Sequence, residues 1–242
     1  MTTHPLVLLH HAGGSAAFFE PLVKALPPQI DPMPLDLPGR GRRWREAPVT
    51  AIDEAIDALL PELSQIRGEF AIFGHSLGAY LGLALAARLE ETAAGCRCSL
   101  LFASANSSPS AAALPFSGSP LVTTDDEIFE ITAKSGGGLS PQILEHPQLR
   151  KRTADLLRAD FSISESFLSK QRKTVTEADI VVCSGTEDIF TKEQLAPWRR
   201  NSTQSTEFHQ FPGGHFYPEQ NIPALTEVIT HRLCPPTPRQ GH

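Results

Sequence analysis

The chain has 242 residues, 40% of them hydrophobic and 20% charged, with a formal net charge of −6. That length and apolar content suit one medium-sized domain with a packed core. The acidic balance excludes nucleic acid as the main partner, since phosphate binding needs a basic surface, and no apolar run is long enough for a membrane span or a secretory leader, so a cytoplasmic protein is expected.

Leu6, Val7, Leu8 and Leu9 make the first buried-strand pattern, and apolar residues at helical spacing follow over 18–26. A second strand is expected near 33–37, irregular because of Pro32, Pro34 and Pro38. Residues 50–66 predict a helix with Ile52, Ile56, Leu59, Leu60 and Leu63 on one face. Further strands are expected at 70–73, 100–103 and 180–183, a helix at 77–89 and a closing helix at 225–233. Near-continuous apolar strands alternating with helices predict an α/β architecture. Its sheet is mostly parallel with helices on both faces, and functional loops lie at the carboxyl ends of the strands.

One stretch breaks this rhythm. Residues 109–175 carry helical patterns and no convincing strand. Ile128, Phe129 and Ile131 mark a short helix over 125–134, ended by Gly136, Gly137 and Gly138. Ser140 and Pro141 are suited to cap and open another. Residues 150–167 add Leu156, Leu157, Phe161 and Phe167 among polar neighbours. The expectation is a helical lid inserted into a single domain spanning 1–242, with a plain pair of crossover helices as the alternative. A loose tail is expected over 235–242. Cys96, Cys98, Cys183 and Cys234 match no zinc spacing and are expected to be buried or idle thiols.

The sharpest chemical signal is Gly74-His75-Ser76-Leu77-Gly78, a G-x-S-x-G pattern between a predicted strand and a predicted helix. A serine on such a turn is thrust into the open, with a helix N-terminus beneath any negative charge that develops. The hydroxyl is a weak nucleophile and needs a base. His215, in Phe211-Pro212-Gly213-Gly214-His215-Phe216, is the candidate, because the diglycine can form a tight presenting loop. His146, His209, His231 and His242 lack such a setting and are expected at the surface. Asp188, just past the 180–183 strand, is the candidate acid, with the adjacent Glu187 as the alternative. The expected roles are attack by Ser76, proton transfer by His215 and orientation of the imidazole by Asp188. An oxyanion hole would use the backbone N–H of Leu77 and a second from His10-His11-Ala12-Gly13-Gly14. Ala12 is assigned that second role, with His11 as the alternative. A metal reading of the His10-His11 pair is disfavoured, because neighbours on a strand face opposite ways.

Together these segments resemble the type II thioesterases, the stand-alone thioesterases of non-ribosomal peptide and polyketide synthetases in the α/β-hydrolase superfamily. The resemblance rests on the order of several pieces along nearly the whole chain. They are His11-Ala12-Gly13-Gly14-Ser15, Leu37-Pro38-Gly39-Arg40, Gly74 to Ala79, Leu157-Arg158-Ala159-Asp160-Phe161, the loop from Gly185 to Asp188, and Phe211 to Phe216. Where the family has a tyrosine after the L-R-A-D segment, Phe167 stands here. The resemblance implies hydrolysis of acyl or aminoacyl thioesters from the phosphopantetheine arm of acyl or peptidyl carrier protein domains. It also implies an editing role, a monomer, and no cofactor of the protein's own. A general esterase or acyl-CoA thioesterase would share the same three residues. Arg40, Arg42, Arg43 and Arg45 form a local basic cluster. It is expected to be either a solvated, partly ion-paired loop or a surface for an acidic carrier.

Overall fold

The computed structural model describes residues 3–92, 95–113, 120–134, 136–137 and 141–235. Strands β1 (His4–Leu9), β2 (Ile30–Leu35), β3 (Gly68–His75), β4 (Cys96–Ser104), β5 (Asp179–Gly185) and β6 (Thr206–Phe211) form one sheet in the order β2-β1-β3-β4-β5-β6. Every neighbouring pair is parallel. The chain steps from β1 to one side and returns to lay β3 on the other. The order therefore reverses between β1 and β3, and a crevice opens beyond their carboxyl ends.

The strand residues alternate between two cores. Val7, Leu9, Ile72, Leu101, Ala103, Ile180 and Val182 face one side, where α2 (Ile52–Leu59) and α3 (Leu77–Glu90) pack. Leu6, Leu8, Phe73, Phe102, Val181 and Cys183 face the other, with α1 (Glu20–Ala25) and α8 (Ile222–Leu233). This is the α/β-hydrolase fold. α3 is apolar nearly all round because it sits in the middle of a layer, and every residue from Leu77 to Ala86 is buried.

Some boundaries differ from the sequence expectation. The helix expected over 50–66 is α2 followed by a tighter turn at Leu60–Leu63. Pro61 lacks the N–H and crowds the carbonyl four residues back, which stops the regular helix. The segment at 18–26 is likewise a tight turn, Ala16–Phe19, followed by α1 with Pro21 in its first turn. The second strand starts earlier than expected, at Ile30, and tolerates its prolines as a sheet edge. The opposite edge, β6, was not anticipated. It has few apolar residues, and Phe208 is 37% exposed.

Between β4 and β5 the described residues form α4 (Asp125–Lys134), α5 (Pro141–Glu145) and α6 (Pro147–Lys170), with no strand among them. α6 has two packing halves. Ala154 and Leu157 join Ile128 and Phe129 of α4 in a separate apolar cluster. Ile163, Phe167 and Leu168 join the main core instead. Phe167 stacks on Tyr80 of α3, with ring centroids 4.9 Å apart. Arg158 fastens α6 to the start of α4 through Asp125 and the Thr123 carbonyl. Ser140 and the tail beyond Pro235 lie outside the described residues. The remaining short helix is α7 (Lys192–Leu195).

Candidate active site

Ser76 stands between β3 and α3 with φ 55° and ψ −116°, a conformation that L-residues adopt only under constraint. The constraint comes from the two flanking glycines. A Cβ on Gly74 would lie 2.0 Å from the Gly78 carbonyl oxygen, and one on Gly78 would lie 2.0 Å from that of Leu9. These are backbone contacts that cannot move aside, so the elbow closes only with glycine at both positions. The Ser76 N–H donates to the Ser104 carbonyl at 2.7 Å, which ties the turn to the end of β4.

His215 and Asp188 come to Ser76 from two loops that interlock. Gly185 ends β5, and a Cβ there would meet the Gly214 and Gly213 carbonyl oxygens at 2.2 and 2.3 Å. The Glu187 N–H donates to the Gly213 carbonyl and the Thr186 N–H to that of Phe211, both at 2.8 Å. Asp188 Oδ1 lies 3.0 Å from His215 Nδ1, and His215 Nε2 lies 3.1 Å from Ser76 Oγ. The carboxylate only accepts, so Nδ1 carries the proton and Nε2 offers its lone pair to the serine hydroxyl. The Asp188 and His215 side chains are 0% and 4% exposed. Glu187 is exposed and takes no part in this chain.

The loop after β1 closes the other side of the crevice. His10 Nδ1–H donates to the His11 carbonyl at 2.8 Å, and His11 Nδ1–H donates to the Ala12 carbonyl at 2.9 Å. Both rings are thus committed to the backbone. Gly14 N–H donates to the His11 carbonyl, and Gly13 N–H donates to Asp160 of α6 at 2.6 Å. The N–H groups of Ala12 and Leu77 have no protein acceptor among the described residues. Burial keeps three neighbouring histidines neutral. It lowers His10 to about 4, lowers His11, and holds His75 well below the ordinary histidine range. None of these three rings therefore places a positive charge beside His215.

A cavity of about 300 Å³ opens over Ser76 and His215. Ala12 and Leu77 line its base, and Ile131, Leu157, Phe161 and Leu168 of the inserted helices line its wall. Among the described lining residues there is no Asp, Glu, Lys or Arg.

The four arginines read from the sequence as a basic cluster each have a separate partner in the fold, as a partly ion-paired loop would. Arg40 is buried and makes a two-pronged pair with Asp160 of α6 at 2.5 and 2.8 Å. Arg43 pairs with Glu46 and donates to the Ala58 carbonyl. Arg42 lies 3.8 Å from Asp36, and Arg45 sits over the Trp44 ring. The loop that carries them turns at Gly39 and Gly41, both at positive φ. Of the other histidines, His146 and His231 are exposed and His209 is half-buried beside Glu207, while His242 lies outside the described residues. All four cysteines are free, and burial pushes Cys98 and Cys183 up to about 12.

Sequence reading did not single out Asn106, whose Nδ2–H donates to the Ser76 carbonyl at 2.9 Å, or the Arg40–Asp160 pair as a unit. Asp160 left one trace. It sits on the same helical stripe as Leu157 and Phe167, where a charge is out of place unless paired.

Fold and geometry together define an α/β-hydrolase-fold enzyme with a serine at its elbow. Comparison with known proteins narrows this: the chain belongs to the thioesterase domain family, whose model matches residues 4–233. It is a hydrolase of thioesters. It is 30% identical to the thioesterase TesA of Mycobacterium marinum over 95% of this chain and 90% of that protein. Among solved structures it is similar to BorB, the type II thioesterase from the borrelidin biosynthetic cluster. That match has a TM-score of 0.79 at 30% identity, over 96% of this chain and 93% of that one. ClbQ, from the colibactin pathway, shares the fold at a TM-score of 0.83 and 23% identity, over 95% and 96% of the two chains.

Proposed function

We propose that the protein is a stand-alone type II thioesterase that removes acyl groups from the phosphopantetheine arm of carrier protein domains, clearing mis-primed or stalled synthetases. The observation that carries the reading is the Ser76–His215–Asp188 hydrogen-bonded chain at the base of a cavity walled by the inserted helices. Similarity to BorB, named for a biosynthetic cluster, supports the setting.

In this reading Ser76 Oγ attacks the thioester carbonyl while His215 Nε2 takes its proton. Asp188 holds the ring and stabilises the imidazolium. The oxyanion rests on the N–H groups of Ala12 and Leu77. The C–S bond breaks, and His215 returns the proton to the departing pantetheine thiolate. Water, deprotonated by His215, then attacks the acyl-serine ester; the bond to Ser76 Oγ breaks, Oγ takes the proton back from His215, and the free acid leaves. The protein needs no cofactor, because the arm belongs to the partner. The inserted helices act as a lid over the acyl group. The uncharged wall favours acyl groups without a formal charge, since a charge moved into such a cavity loses its hydration.

The test loads one carrier domain with acetyl-phosphopantetheine and follows acetate release against acetyl-CoA at equal concentration, with Ser76→Ala as control. Faster release from the carrier, abolished in the variant, is expected. Equal rates, or a preference for acetyl-CoA, would overturn the carrier assignment and leave a general acyl-CoA thioesterase or esterase.

A further inference from the structure

We propose that His10 and Asn106 are positioning residues that aim the N–H groups of Ala12 and Leu77 at the oxyanion. The inference rests on the reading of Ser76 as nucleophile. A peptide unit is planar and trans, so its carbonyl and its N–H point in opposite directions. Whatever holds the carbonyl therefore aims the N–H.

Both candidate donors are held this way. The Ala12 N–H shares its peptide with the His11 carbonyl, which accepts the Nδ1–H of His10 at 2.8 Å. The Leu77 N–H shares its peptide with the Ser76 carbonyl, which accepts the Nδ2–H of Asn106 at 2.9 Å. The Ala79 N–H reaches that same carbonyl at 2.9 Å. The two aiming side chains are themselves braced. His10 is 1% exposed, and its Nε2 accepts the Leu37 N–H at 3.4 Å. That contact settles its tautomer, because Nε2 accepts and Nδ1 must carry the proton. Asn106 is 7% exposed, and the bracing acts on its backbone: its main-chain carbonyl accepts the indole N–H of the fully buried Trp198 at 2.9 Å, which fixes the Cα that carries the amide.

The arrangement works only for the transition state. The substrate carbonyl gains its negative charge there, so a misaimed donor weakens the transition state more than the bound thioester. Removal of a whole oxyanion donor typically lowers kcat by about 100- to 1,000-fold, and misaiming one donor should cost about 10- to 100-fold.

The experiment measures kcat and KM for a short acyl thioester, with thermal unfolding alongside. Asn106→Leu and His10→Leu keep bulk and remove the donor. His10→Asn places an amide N–H near the position of Nδ1, and His10→Gln places it near that of Nε2. The expected result is a kcat about 10- to 100-fold lower in both leucine variants, with KM within about 2-fold. His10→Asn should recover at least about 10-fold more kcat than His10→Gln. A trifluoromethyl ketone, which forms an oxyanion on Ser76, should lose affinity in the leucine variants in parallel with kcat. Should a leucine variant fail to fold, Asn106→Ala and the His10→Asn and His10→Gln pair carry the same comparison. Unchanged kcat in folded variants, or equal kcat in the asparagine and glutamine variants, would overturn the proposal while leaving Ser76 in place. Turnover that survives Ser76→Ala would overturn the nucleophile reading itself.

Discussion

Replacing Asp160 by alanine should both loosen the fold and disturb the loop after β1. Asp160 is 0% exposed and accepts two N–H groups of Arg40 and the N–H of Gly13. Arg40 is 4% exposed. Asp160→Ala leaves its guanidinium buried without a counter-charge and the Gly13 N–H without its acceptor. Breaking a buried pair from one side costs about 3–5 kcal/mol, and an orphaned N–H costs about 1–3 kcal/mol. Water entering the vacated space offsets part of this, so a net loss of about 4 kcal/mol is expected. For a domain of this size each kcal/mol lowers Tm by about 2–4 °C, giving a fall of about 8–16 °C. The double variant Arg40→Met with Asp160→Asn removes both charges and keeps an amide oxygen for Gly13. It should lie within about 2 kcal/mol of the wild type. Urea and thermal unfolding followed by circular dichroism measure both. A loss below about 1 kcal/mol for Asp160→Ala, or a double variant weaker than Asp160→Ala alone, would refute the reasoning.

Gly74→Ala and Gly78→Ala should each abolish activity and lower stability by more than about 3 kcal/mol, because the added Cβ meets backbone atoms; near-normal turnover in either variant would contradict the account of the elbow. Stability should fall as pH drops below about 6.5 toward about 4, because the unfolded chain binds protons on His10, His11 and His75 that the folded chain excludes. Each such histidine contributes at most about 1.4 kcal/mol per pH unit, so His10→Asn should flatten the profile, and an unchanged slope would contradict the assignment. Propionyl-carrier should be cleaved at least about 10-fold faster than malonyl-carrier in kcat/KM, since the described residues of the cavity wall offer no cation to a carboxylate; equal rates would show that the acyl group does not enter this cavity.

What the sequence disclosed depended on how local its cause is. The elbow was legible because its strain and its two glycines lie within five residues. The layered α/β fold was legible because central strands buried on both faces must be apolar throughout. Asp188 and His215 were legible from their places after a strand and a diglycine. The edges were harder to read. β2 is interrupted by Pro32 and Pro34, and β6 has one half-exposed face, so neither shows the core pattern. Long-range pairings left the weakest signal. Arg40 finds Asp160 across 120 residues, and Asn106 finds the Ser76 carbonyl only because β3 and β4 are neighbours. Four arginines within six positions left two readings open in the sequence, a partly ion-paired loop or a surface for an acidic carrier. The fold gives each arginine a different task.

The central claim is that Ser76 carries the acyl group between thioester and water. The most direct measurement is to mix the protein with an acyl thioester, quench with acid within the first turnovers, and determine intact mass followed by peptide mapping. The account predicts a mass increase of one acyl group on the peptide containing Ser76, absent in Ser76→Ala. Acyl transfer to another residue, or thioester hydrolysis that persists in Ser76→Ala, would contradict it.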